Sequence, residues 1–281
     1  MLWRTPRHTF DLTHRGLIMG VVNVTADSFS DGGQFCHLEA AVAQAQRLAA
    51  EGAEIIDIGG ESTRPGAAPV AEAEELARVL PVIARLAGDP RFLLSIDTRK
   101  PAVARAAMAG GAAIINDVTG LREPEMREVV RATGAGAIAM HMQGDPQTMQ
   151  RAPHYTDVTA EIREFFRQIL GASVACGIDP MSLAFDPGIG FGKTVAHNLA
   201  LIRNLASMRI GGRPLVLGIS RKSFIGSVLG SPSLEDRAWP TVALTSYGRA
   251  RGAQVFRVHD ARENFQALRM SEAILAPEVA A

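Results

Sequence analysis

Eight short apolar runs, each ending on a polar residue or a glycine, constrain this chain more than any other feature. They are LIMGVVN (17–23), EIIDIGG (54–60), FLLSIDT (92–98), AIINDV (113–118), AIAMHM (137–142), LAFDPG (183–188), LVLGIS (215–220) and QVFRVHD (254–260). Each has the length of one strand, is rich in Ile, Val and Leu, and is nearly continuous instead of alternating. Strands covered on both faces of a parallel sheet have this composition. Amphipathic segments rich in Ala, Arg and Glu lie between them, as at 38–52, 70–88 and 157–177, and these predict helices. Gly52, Gly88 and Gly177 stand where helices would end, and Pro101 where one would begin. Such alternation leaves a closed barrel or a doubly wound open sheet. Eight units in 281 residues favour the (β/α)8 TIM barrel, an α/β fold. With no linker or composition shift, a single domain is expected. The barrel would occupy 17–275 and residues 1–16 would cap its floor.

Charge and composition exclude several function classes. Lys+Arg and Asp+Glu are both 29. Zero net charge supplies no global basic field, so nucleic acid is not the expected partner. The apolar runs are too short to span a membrane, and the polar N-terminus has no signal segment. Cys36 and Cys176 fit no metal or disulfide spacing, which points to a reducing compartment and a cytoplasmic location.

The polar residues sit where an α/β barrel builds its active site, at the C-terminal ends of the strands. They are Asn23, Asp57, Asp97, Asn116, His141, Asp186, Ser220 with Arg221 and Lys222, and Arg257 with His259. One or two such groups could be structural hydrogen-bonders. All eight ends carrying them points to a polar ligand. Carboxylates and an amide together suit a ligand with several N–H donors, such as an aminopyrimidine edge. The alternative is a cluster of Asp57, Asp97 and Asp186 around Mg²⁺ or Ca²⁺. Zinc spacing is absent. Arg64, Lys222, Arg257 and His259 call for an anion, and His259 precedes a helix expected to start near Asp260 or Ala261. Salt bridges at the rim are the alternative for some of these. Two polar, glycine-bearing loops, 23–35 and 59–67, could close over a substrate, with Phe29 as a cover.

DPGIGFGKT (186–194) resembles a phosphate loop and fails the test. The first glycine of G-x-x-x-x-G-K-[ST] should be residue 187, which is Pro187. Its ring removes an N–H that would help cradle a phosphate.

Taken together, NVTADSFSDGG, IDIGGESTRPGA, SIDT-K-P, IINDVTGL, MHMQGDPQTMQ, DPGIGFGKT, GISRKSFIG and RVHD resemble the dihydropteroate synthase family, in order from about residue 17 to 270. The resemblance implies condensation of 6-hydroxymethyl-7,8-dihydropterin diphosphate with 4-aminobenzoate by an SN1-like displacement. It implies a pterin site of Asp97, Asn116, Met140, Asp186 and Lys222. It puts the diphosphate at Asn23, Arg257 and His259, with Mg²⁺ held in part by Asn23. The 4-aminobenzoate pocket would be Phe29, Thr63, Arg64, Pro65, Phe191 and Ser223. Lys222, Asp31 and Arg64 would be the catalytic groups. Sulfonamides would compete with 4-aminobenzoate, and a homodimer is implied.

The chain departs from the family pattern at three places. Ala26 stands where proline is usual, Arg99 where a small residue is common, and Trp239-Pro240 in the expected interface helix. Two other readings remain for comparison. A pterin-binding methyltransferase domain would share the barrel but would need neither S-R-K-S-F nor R-V-H. A catalytically silent pterin-binding barrel would keep the pocket without the reaction.

Overall fold

The computed structural model describes residues 1–25, 34–64 and 66–276, and of 34–36 the backbone alone. Its centre is a parallel barrel of eight strands: β3 (Leu17–Asn23), β4 (Ile55–Gly59), β5 (Leu93–Asp97), β6 (Ile114–Asp117), β7 (Gly136–Met140), β8 (Leu183–Asp186), β9 (Val216–Gly218) and β10 (Val255–Val258). Neighbours run β8-β7-β6-β5-β4-β3-β10-β9. The ring closes between β8 and β9 through the parallel bridge Phe185–Leu215. Phe185 N–H donates to Pro214 O at 3.0 Å beside it. Helices α1 (Gln34–Ala50), α2 (Glu72–Leu86), α3 (Pro101–Gly110), α4 (Pro124–Thr133), α5 (Val158–Ala175), α6 (Val195–Arg203), α7 (Ser223–Leu229), α8 (Ala238–Ala250) and α9 (Ala261–Leu275) cover it. None is long and apolar enough to cross a membrane.

Alternation, hidden in the sequence because both faces are buried, appears in the packing. Ile56, Ile58, Leu94, Ile96, Ile115, Phe185 and Leu217 join the large core between strands and helices. Their neighbours Ile55, Ile114, Ile138, Ala184, Val216 and Val255 join a second cluster inside the barrel. That inner cluster fills the floor. The hairpin of β1 (Leu2–Arg4) and β2 (Thr9–Asp11) plugs it from below. Trp3 is fully buried there and donates from Nε1 to Ser182 O at 2.8 Å.

Local signals account for the ends of several helices. Pro101 opens α3 and Gly111 closes it at φ +117°. Asp157 caps α5 by accepting from Thr159 and Ala160 N–H. Thr194 and His197 form a capping box on α6. Pro240 falls at the third residue of α8, in the first turn, where no intrahelical N–H is lost.

Candidate active site

Two residues above the floor, the inward positions turn polar. Strand register aligns Asp57 with Ser95, Asp97 with Asn116, and Met140 with Asp186. Asp57, Asp97, Asn116 and Asp186 are all buried. Buried carboxylates need partners, and the partner here is Arg257 of β10. Its Nε donates to Asp57 Oδ2 at 2.6 Å and its Nη2 to Asp97 Oδ2 at 2.7 Å. Asn116 Nδ2 donates to the same Asp57 oxygen at 3.1 Å. Asp57 Oδ1 and Ser95 Oγ are buried with no partner.

One guanidinium thus serves two carboxylates. Burial works against the Arg257 charge, yet Asp57 and Asp97 outweigh it and hold the group more firmly protonated. Burial pushes Asp97 well above the carboxylate range; Arg257 opposes this, and Asp57 and Glu75 reinforce it. Burial likewise raises Asp186, against the Gly188 N–H and the Lys222 charge. The mouth is therefore a buried pocket in which three carboxylates face the Arg257 and Lys222 cations.

DPGIGFGKT builds one wall. Gly188, Gly190 and Gly192 have φ of +66°, +84° and +63°. A Cβ on Gly188 would stand 1.9 Å from His141 O, and one on Gly192 2.6 Å from Gln143 O. Only glycine permits so tight a turn against β7. The turn returns Gly188 N–H to Asp186 Oδ1 at 2.7 Å. It also brings Phe191 to a cluster of Val118, Met140, Met142 and Met149. Lys222 Nζ lies 4.0 Å over the Phe191 ring. Burial pulls that ammonium down to about 8, with Asp186 opposing.

Lys193 has no place among the expected site residues, yet it is almost fully buried. Its Nζ donates to Phe191 O at 2.8 Å and sits 3.1 Å from His141 Nδ1. Burial pulls it down to about 7. His141, pushed to about 2 chiefly by burial and then by Lys193, packs on Phe165 in the helix layer. His141 thus directly follows β7 and packs into the helix layer.

The other side of the mouth is looser. Asn23, Thr63 and His259 are half-buried, and Arg64 and Ser223 are exposed. His259 accepts or donates at Nδ1 with Ser220 Oγ at 3.0 Å. Burial, then Arg257 and Arg221, lowers it to about 4. Arg221 pairs with Asp260 through Nη2 at 2.6 Å and Nε at 3.1 Å, beside the start of α9. Phe29, Asp31 and Pro65 lie outside the described residues, as does Ala26. Asp57 stood among the strand-end carboxylates and in the alternative metal cluster, but the family resemblance gave it no part; the structure makes it the carboxylate shared by Arg257 and Asn116. Nor did the sequence place the Arg257 head among the carboxylates; the structure joins it to Asp57 and Asp97, while His259 stands apart with Ser220.

Residues 19–259 match the family described as pterin binding enzyme. A dihydropteroate synthase of Escherichia coli K12 is 45% identical over 269 residues, covering 95% of this chain and 94% of that one. The crystal structure of Yersinia pestis dihydropteroate synthase with a sulfonamide drug superposes with a TM-score of 0.91 at 44% identity, covering 98% of this chain and all of that one. Dihydropteroate synthase from Xanthomonas albilineans in complex with 7,8-dihydropteroate superposes at 0.88 and 42% identity, covering 98% and 99%.

Proposed function

The chain belongs to the pterin-binding enzyme family, among its dihydropteroate synthases, and from that premise we propose how its barrel mouth divides the work. The reaction joins 6-hydroxymethyl-7,8-dihydropterin diphosphate to 4-aminobenzoate and gives 7,8-dihydropteroate and pyrophosphate in folate synthesis. One observation carries the reading: Asp97, Asn116 and Asp186 are all buried acceptors at the strand ends, above an apolar floor. The donor-rich edge of a pterin matches these acceptors, and Met140 and Phe191 offer the ring an apolar wall.

Asp186 Oδ1 is committed to Gly188 N–H, so Oδ2 takes a pterin N–H. Lys222 bridges this half and the Phe191 half. Asn23, Arg257 and His259 receive the diphosphate beside α9, where the backbone N–H groups favour an anion. The C–O bond breaks first and its electron pair leaves with pyrophosphate. The exocyclic methylene cation that remains is stabilised by the surrounding carboxylates, a part the family resemblance extends to Asp31 of the first loop. A neutral arylamine then forms the C–N bond and loses its proton, so no strong base is needed. Water must be kept out meanwhile, which is the work of the two loops.

Thr63, Arg64, Pro65, Phe29, Phe191 and Ser223 hold the 4-aminobenzoate. Mg²⁺ fits as a companion of the diphosphate. Among the described residues no group of three or more His, Cys, Asp or Glu could hold a metal alone. Mg²⁺ bound with phosphates commonly takes only one or two protein ligands. Asn23 would supply one oxygen, and the ion would offset charge on the leaving group.

A homodimer belongs to the same proposal. Trp239 on α8 and Met270 and Ile274 on α9 are 74%, 63% and 69% exposed, and the two helices pack together. Sedimentation at the mass of one chain would remove it. The free thiol of Cys176 suits a cytoplasmic location, which cell fractionation checks.

The deciding assay is pyrophosphate release with both substrates. Release well above background supports the reading, and none sinks it. In the same assay a sulfonamide raises the KM for 4-aminobenzoate and leaves kcat unchanged.

A further inference from the structure

The loop after β4 enters the site through Glu61, whose carboxylate is only 8% exposed. It is gripped from two sides. Oε1 accepts from Arg99 Nη2 at 2.8 Å, and Oε2 accepts from Lys100 Nζ. Lys100 Nζ reaches on to Glu75 of α2, which is fully buried. Glu75 Oε1 also accepts from Thr98 Oγ1 at 2.6 Å. One residue earlier, Gly60 O accepts from Arg78 Nη1 at 2.7 Å. A Cβ on Gly60 would stand 2.8 Å from Val79 Cγ1, so the backbone lies directly on α2. The far end of the loop is fastened too, where Gly66 N–H donates to Pro146 O at 3.0 Å.

Two cations and two carboxylates balance within this network, so it introduces no net charge beside the pterin acceptors. Between its anchor points stand Thr63 and Arg64. Thr63 lines one small cavity with Asp97, Thr98, Arg99 and Val118. Arg99, 31% exposed, lines that cavity and holds Glu61 at the same time.

We propose that Glu61, clamped by Arg99 and Lys100, is a positioning residue for the second substrate. It fixes the Thr63–Arg64 stretch before 4-aminobenzoate arrives, so that binding does not have to order the loop. Ordering a single loop residue on binding would weaken affinity roughly tenfold. The proposal rests on the assignment of 4-aminobenzoate to this loop.

The test uses the full chain with Glu61→Gln and, as the milder change, Arg99→Ala. Steady-state KM is measured for each substrate, and hydrogen exchange of residues 59–64 is followed without substrate. Glu61→Gln is expected to raise the KM for 4-aminobenzoate about tenfold and Arg99→Ala about threefold. The KM for the pterin diphosphate should stay at the wild-type value, and exchange in 59–64 should quicken. Equal rises in both KM values would assign the network to the fold alone and overturn the proposal. Unaltered exchange overturns it at the clamp. Faster exchange with an unchanged KM for 4-aminobenzoate overturns it at the pocket assignment instead.

Discussion

The two halves of the barrel mouth are built by different means. On the side proposed for the pterin, acceptors project from strands, their spacing set by sheet register, and a glycine turn with no room for a side chain backs them. On the side proposed for 4-aminobenzoate, Thr63 and Arg64 stand on a loop fastened by ion pairs, and Ser223 is exposed at the start of α7. The first half is rigid by geometry and carries the cost of buried charge. The second is placed by contacts that single substitutions can release. A tight site for one substrate and an adjustable one for the other suits an order in which the pterin is seated before the amine.

The sharpest way to break that contrast is Asp186→Ala. Charge-assisted hydrogen bonds contribute about 1.5–3 kcal/mol each, so pterin affinity should fall roughly ten- to a hundredfold by calorimetry. Retained affinity would remove Asp186 from the site and with it the claim of a preformed half.

The cost of that half is tested at Lys193. Its folded value of about 7 lies below the ordinary 10.5. Between those values the native state binds fewer protons than the unfolded chain, so stability rises with pH, by at most about 1.4 kcal/mol per unit. Lys193→Met deletes that contribution. Urea midpoints at pH 7 and 9.5 should differ less in the variant than in the wild type, with Lys222, at about 8, still contributing to both. The same pH dependence in both proteins would mean that Lys193 is not charged at a cost. The smallest effect is expected at the rim. Arg64→Ala removes an exposed cation worth about 1 kcal/mol or less. The KM for 4-aminobenzoate should rise about fivefold, and pterin affinity should hold.

The sequence made the barrel legible because its strands are buried on both faces, and the predicted run 17–23 coincides with β3. It could not separate inward from outward residues, since Ile55 and Ile56 look alike until one faces the floor and the other a helix. That is why His141 counted as a site residue though it packs on Phe165. The hairpin under the floor was unreadable for another reason: its three-residue strands, LWR and TFD, carry too few residues for a period. Lys193 is missing from the expected site residues because its motif fails as a phosphate loop. Its burial depends on a fold-back toward β7 that spacing does not encode. The hydrogen bond from Arg257 to Asp57 spans 200 residues, and no local spacing announces it.

The glycine turn behind Asp186 also limits how this chain can change under selection. A mutation at Gly188 or Gly192 must push backbone apart by more than a side chain can absorb, so few heritable variants of that wall will fold at all. A lineage exposed to an inhibitor of this site has most of its freedom on the opposite bank, in the loop held by Glu61. Surveillance of variants should begin there.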